Sequence, residues 1–192
     1  GATLLYGFKH EISKDEFARR IADNTLLEVT NAVPVKKGDV FFIQAGTLHA
    51  IGKGILIAEI QQNSNTTYRV YDYGRVGKDG KPRELHIEKA IDVTELCPPK
   101  YDTKPQGKPV KIDGGEETLL RSCEYFDVHK IKVSGTVTLD ADEKSFMSVL
   151  VLEGSGKIGE LDAKKGDSFF VPAGYGRFTL TGNLEVILSD IV

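Results

Sequence analysis

The sequence predicts a mainly β protein built from two related barrel units, with one or two short helices added. Three observations carry that expectation. Short apolar runs bounded by Gly, Asn and Asp recur along the chain, at 39–43, 55–60, 146–152, 168–171 and 184–188, the pattern of strands closed by turns. The stretch from Lys36 to Gly46, KKGDVFFIQAG, returns from Lys164 to Gly174 as KKGDSFFVPAG, with eight of eleven positions identical. An ungapped match of that length points to an internal duplication. Four of the seven prolines (Pro98, Pro99, Pro105 and Pro109) fall in one polar stretch between the two copies, and proline there withholds ladder donors and holds the chain extended. The expected division is therefore a first unit over 1–94, a linker over 95–118 closed by Gly114 and Gly115, and a second unit over 119–192.

Taken in order, the first element with a clear signal is a helix. Ser13 followed by Glu16 is a capping-box pattern, and Phe17, Ala18, Ile21 and Ala22 repeat at helical spacing behind it. A weaker helix runs from about Leu85 to Val93, where Leu85, Ile87, Ala90 and Ile91 share a face. Between them, Ile55 to Gln62, Asn63-Ser64-Asn65 and Thr66 to Tyr73 read as strand, turn and strand. Alternation then puts Thr67, Arg69, Tyr71 and Tyr73 on one face of that hairpin.

Composition excludes several classes. Of 192 residues, 40% are hydrophobic and 28% charged, which is globular rather than disordered or fibrous. Lys and Arg number 25 against 28 Asp and Glu, so no basic excess favours nucleic acid or an anionic membrane. No run approaches the roughly 18 apolar residues of a spanning helix, and the first ten residues lack a basic segment followed by an apolar one. The expectation is a soluble, cytoplasmic chain. Cys97 and Cys123 are too few for a disulfide framework or a Cys-based zinc site and read as reduced structural thiols. Nothing in the sequence sets the oligomeric state.

The first copy of the repeat leads into a motif. Gly38, five residues, Gln44-Ala45-Gly46, two residues and His49 resemble the second sequence motif of the cupins, with Gln44 where proline is usual. Cupins are double-sheet jelly-roll barrels, and the resemblance implies that His49 binds a metal. The second copy keeps Gly166, Pro172 and Gly174 but has Arg177 in the histidine's place, and a guanidinium offers no lone pair to a metal. The second barrel is therefore expected to hold no metal, with its interior filled by Phe169, Val171 and Phe178. The first cupin motif, two histidines flanking one residue and a later glutamate, is absent: His10, His49, His86 and His129 include no close pair.

The longer stretch from Phe41 to Arg75 contains, in order, Gly-Thr-Leu-His, Glu-Ile-Gln-Gln-Asn-Ser and Tyr-Arg-Val-Tyr-Asp-Tyr, and Pro82-Arg83-Glu84-Leu85-His86 follows. It resembles the C-terminal part of the type I mannose-6-phosphate isomerases in their short bacterial form, a resemblance that runs through essentially the whole chain. The implied fold is two cupin-type jelly-roll barrels, the first incomplete. The implied chemistry is zinc-dependent interconversion of mannose 6-phosphate and fructose 6-phosphate, with a sugar phosphate as the small-molecule partner. In that family a Gln-x-His pair and a glutamate upstream complete the zinc site. None is visible here, so the chain reads as a fragment expected to be inactive alone.

The resemblance assigns His49 as the zinc ligand and Arg69, twenty residues later, as the catalytic arginine. The residue pattern alone favours a structural pairing of Arg69 with Glu59 or Asp72. Glu59 is read either as a substrate or ligand-orienting group or as the partner of a nearby cation. Asn65 is placed with the substrate; it stands where some relatives carry aspartate and transfers no proton. Arg75 is expected to be structural or at the rim, and Lys36-Lys37 and Lys164-Lys165 to be solvated turn residues. The competing reading is a non-catalytic cupin module that holds a sugar or other small ligand.

Overall fold

Thr3–Phe8 form β1, the strand that organises the first part of the chain. In the computed structural model, which describes residues 1–72, 76–81 and 83–192, the chain divides into two units, Gly1–Thr103 and Lys104–Val192. In the first unit β1 pairs antiparallel with β2 (Thr30–Pro34) on one side and β3 (His49–Ile51) on the other, with Leu4 opposite Val33 and Tyr6 opposite His49.

The expected first helix is α1, Lys14–Ala22, and its cap is as read: the Ser13 hydroxyl accepts the Glu16 N–H at 3.1 Å. Phe17 is fully buried and meets Phe8 edge to face at 5.7 Å, which fixes α1 on the sheet. A one-turn helix not foreseen in the sequence, α2 at Leu26–Val29, buries both its ends and hands directly into β2, with the Thr30 hydroxyl bonded to the Leu26 carbonyl. Four residues are too few for a periodic signal. The weaker expected helix is α3, Ile87–Val93. It begins two residues late because Leu85 is exposed, while Ala90 enters the core with Phe8, Ile12, Phe17, Leu26, Val29 and Val70.

Two expectations for the first unit need correction. No strand is assigned at 39–43 or over the described residues of 55–73. The turn of the expected hairpin does form, with the Ser64 N–H bonded to the Gln62 carbonyl and the Thr66 N–H to the Ser64 hydroxyl. Strand-like alternation becomes a strand only where a neighbour supplies ladder partners, and among the described residues no strand lies beside these segments. The expected shared face is replaced by a single buried residue, Val70; Thr67 and Tyr71 are exposed, and Tyr73 lies outside the described residues, as does Arg75.

The expected linker, 95–118, is not a spacer. Its first part belongs to the first unit: Glu95 donates to the Gly46 carbonyl, and the Leu96 carbonyl accepts from Ile12. Pro99 packs on Gly7, where a Cβ would stand 2.9 Å from the proline ring and φ is +62°. Its second part belongs to the second unit, where Gln106 and Gly107 donate to the Leu120 and Leu119 carbonyls and β4 (Val110–Ile112) and β5 (Gly115–Ser122) follow. Proline denies only its own N–H, so an extended proline-containing chain still pairs through its neighbours.

The second unit adds β6 (Asp127–Val133), β7 (Thr136–Ala141), β8 (Met147–Ile158), β9 (Leu161–Lys164), β10 (Ser168–Val171) and β11 (Gly176–Asp190). The hydrogen-bonded order is β10-β8-β11-β6-β5-β4, with β7 on β11 and β9 on β8. The long strands β8 and β11 each pair with three neighbours. β11 pairs with β7 through Thr181 and with β6 from Leu184 onward, and with β8 from Leu180 to Asp190. At the change-over the two backbones press together: a Cβ at Gly156 would stand 1.9 Å from the Thr181 carbonyl oxygen, so only glycine fits. Alternate residues from both strands fill the inner face, with Val149, Val151, Leu180 and Val186 at most 1% exposed. Val171 and Phe178 are buried in this core and Phe169 packs against it, as the sequence led us to expect.

Candidate functional site

The loop that carries His49 is fixed before the histidine is reached. Lys36 opens it by donating its N–H to the Asp39 carboxylate at 3.0 Å, and its ammonium bonds the same group at 2.7 Å. The Lys36 ammonium holds the Asp39 carboxyl below the usual carboxylate range. Phe41 packs edge to face on Tyr6, whose hydroxyl donates to the Phe42 carbonyl. Gly46 has φ +85° and lies so near the end of α3 that a Cβ would stand 2.6 Å from the Val93 carbonyl oxygen. The Leu48 carbonyl then accepts the Gly7 N–H at 2.7 Å, and β3 begins.

His49 is exposed on β3, with its Nδ1 2.9 Å from the Thr47 carbonyl. A carbonyl only accepts, so Nδ1 carries the proton and the lone pair is on Nε2. That is the tautomer and the kind of backbone support found for metal-binding histidines. Among the described residues no three His, Cys, Asp or Glu side chains converge on a common point. His49 fits zinc as one donor, and the residues described here do not make a zinc site by themselves.

Arg69 is half-buried beside the core residue Val70, and its guanidinium donates to the Glu84 carbonyl at 3.2 Å. The sequence pattern offered Glu59 or Asp72 as its partner; the structure gives Asp72 to Arg83, whose guanidinium it bonds through both oxygens and pushes above its ordinary value. Glu59 and Asn65 are exposed on the segment between β3 and Arg69. Among the described residues, no hydrogen bond joins His49, Glu59, Asn65 and Arg69 to one another. A cleft of about 90 Å³ beside the His49 loop is lined by Gln44, Thr47, Glu95, Cys97 and Lys100 among others, well below the ~300 Å³ at which small-molecule pockets begin. In the second unit, Arg177 stands exposed in the place corresponding to His49, 3.8 Å from Asp140.

Sequence reasoning passed over His86. Its Nδ1 accepts the Arg69 N–H at 3.2 Å and its own N–H donates to the Arg69 carbonyl at 2.7 Å. The sequence placed His86 inside the expected helix, whereas the structure makes it the N-cap of α3, with its side chain free to bond something other than its own helix.

The second unit's jelly-roll, with its paired long strands and filled interior, is a cupin barrel. Residues 115–191 match the family described as mannose-6-phosphate isomerase, cupin domain. The likeness extends beyond that barrel. The chain is 41% identical to the mannose-6-phosphate isomerase ManA of Bacillus subtilis over 99% of its length, covering 60% of that protein. It is 38% identical to the mannose-6-phosphate isomerase of Streptococcus mutans over 98% of its length, again covering 60%. The crystal structure of a Bacillus subtilis mannose 6-phosphate isomerase superposes with a TM-score of 0.88 at 36% identity, over 98% of this chain and 60% of that one. The family match itself covers the second unit, and the chain spans about 60% of the length of the curated relatives it matches.

Proposed function

We propose that this chain is part of a cytoplasmic aldose-ketose isomerase that interconverts mannose 6-phosphate and fructose 6-phosphate. The observation that carries the reading is the 41% identity to a mannose-6-phosphate isomerase sustained over 99% of the chain. No helix among the described residues is long and apolar enough to cross a membrane, which agrees with a soluble metabolic role. His49 serves as one zinc donor through Nε2, the other donors coming from sequence outside these 192 residues. Zinc, when bound, supplies Lewis-acid polarisation of the sugar oxygens.

The reaction moves a proton between C1 and C2 of the sugar through an enediol, and negative charge builds on the sugar oxygens as it does so. Arg69 faces that charge: a guanidinium is always protonated, and a fixed cation aimed at developing charge stabilises the transition state without waiting for solvent to reorganise. Glu59 and Asn65 hold sugar hydroxyls, Glu59 as acceptor and Asn65 as both donor and acceptor.

The test is a pair of substitutions in the intact protein. Arg69→Ala should lower kcat by about 10²–10³ with zinc content unchanged, the usual cost of losing one electrostatic donor. His49→Ala should lower zinc content and activity together. Equal zinc loss in both variants would make Arg69 structural. An intact protein that binds sugar phosphate but shows no isomerase turnover would overturn the enzyme reading in favour of a binding module.

A further inference from the structure

We infer that His86 is a positioning residue for Arg69: its ring nitrogen and its backbone together clamp the main chain of the arginine. The inference rests on the proposed role of Arg69.

Three bonds fix Arg69, and all three come from residues 84–86. The Arg69 N–H donates to His86 Nδ1, the His86 N–H donates to the Arg69 carbonyl, and the guanidinium donates to the Glu84 carbonyl. Two of them tie one residue's main chain to the other from both sides, as in a strand pair, but with an imidazole standing in for one carbonyl. The clamp is itself anchored. The His86 carbonyl accepts the Ala90 N–H at 2.9 Å in the first turn of α3, and Ala90 is 2% exposed in the same core that holds Val70, the residue next to Arg69. Arg69 is therefore held between a buried neighbour on its own strand of chain and a helix start docked in the same core.

The chemistry of the clamp is specific. Nδ1 accepts, so it is unprotonated and the ring proton is on Nε2, which lies 3.9 Å from the Glu84 carboxylate. Tyr68 flanks the ring at 6.1 Å, with the Lys89 ammonium 5.9 Å above the Tyr68 face. The His86 side chain makes no bond to its own helix, so the ring is engaged with Arg69 rather than with capping α3. A guanidinium displaced by an ångström from developing charge loses much of its effect.

The experiment compares four variants in the intact isomerase, with Arg69→Ala alongside. Asparagine presents its Oδ1 where Nδ1 was; glutamine carries its oxygen one bond too far; serine caps a helix well but does not reach Arg69; alanine does neither. His86→Gln, His86→Ser and His86→Ala should lower kcat by about 10-fold to 10²-fold with zinc content and KM little changed, while His86→Asn stays within about threefold of the parent. Exchange of the Arg69 amide hydrogen should quicken in the first three and stay slow in His86→Asn. Recovery in His86→Ser equal to that in His86→Asn would reduce His86 to a helix cap and overturn the inference. If His86→Ala does not fold, the contrast between His86→Asn and His86→Gln decides alone. Normal turnover in Arg69→Ala would remove the isomerase role of Arg69 itself, whereas loss there with wild-type kcat in His86→Gln would remove only the clamp.

Discussion

Residues 36–46 and 164–174 begin alike and end differently. In each, the first lysine's N–H bonds the aspartate carboxylate three residues on, at 3.0 Å in one and 2.9 Å in the other. In each the glycine between them has φ near +90°, and the later glycine is again positive. Beyond the aspartate the copies part. Ser168–Val171 pairs residue by residue with Leu150 to Met147 as β10, whereas 40–43 in the first copy contacts Tyr6 and Tyr101 and bonds Thr103 through the Val40 N–H. Turn chemistry is local and is repeated wherever the residues are repeated; a strand is a relation between two segments and appears only where the second is present.

The comparison makes predictions in descending order of effect. Val149 lies opposite both Phe169 and Leu188 in the middle of the sheet. Val149→Pro should destabilise the second unit by ~3 kcal/mol or more, because proline removes a ladder donor and clashes in an interior strand. If strands need partners while turns do not, amide exchange at 168–171 should then rise toward that at 40–43. Protection at 168–171 that survived the loss of β8 would break the distinction.

The next test sharpens it. Gly166→Ala and Gly38→Ala place a Cβ at φ near +90° in open space, so each carries about 1–2 kcal/mol of backbone strain. That strain should appear in full in the denaturant midpoint when the glycine precedes a laddered strand, at Gly166. At Gly38 it should be relieved by local rearrangement and appear mainly as faster amide exchange at 36–41. Equal midpoint shifts would mean that the first copy is as cooperative with its unit as the second.

How much of this was legible depended on range. Ser13 and Glu16 gave the start of α1, and the paired glycines gave both turns, because those signals act within four residues. The strand at 168–171 was read correctly and its twin at 39–43 was not, although the sequences are nearly the same, since nothing within the segment reports on its neighbour. His49 and Arg69 were singled out by the family resemblance, and their roles belong to the proposal above. His86 was not, because a contact across 17 residues of chain between a ring nitrogen and a backbone N–H has no periodicity to betray it.

The smallest expected effect is electrostatic. Asp39 has its carboxyl held low by Lys36, and its side chain is 8% exposed. A group with a depressed folded pKa contributes stability above its unfolded value, near 3.9 for aspartate, and loses it as the pH falls through the folded one. Asp39→Asn should therefore lower first-unit stability by about 0.5–1.5 kcal/mol at neutral pH, the worth of the lost bond. The difference from the parent should shrink below pH 4. A penalty that stayed constant down to pH 2, followed by thermal melts, would assign the effect to shape rather than charge.

The place of β11 in its sheet also governs the order of events on the ribosome. It is made after every other strand of the second unit, yet it lies between β6 and β8 and carries β7 at its other half. Hairpins such as β5 with β6 or β8 with β9 form as soon as they emerge, because their pairing is between neighbours in the chain. The barrel itself waits: until residues 176–190 are translated, β6 and β8 each have one open edge, and the nascent domain is a set of separate hairpins with apolar inner faces available to chaperones or to one another.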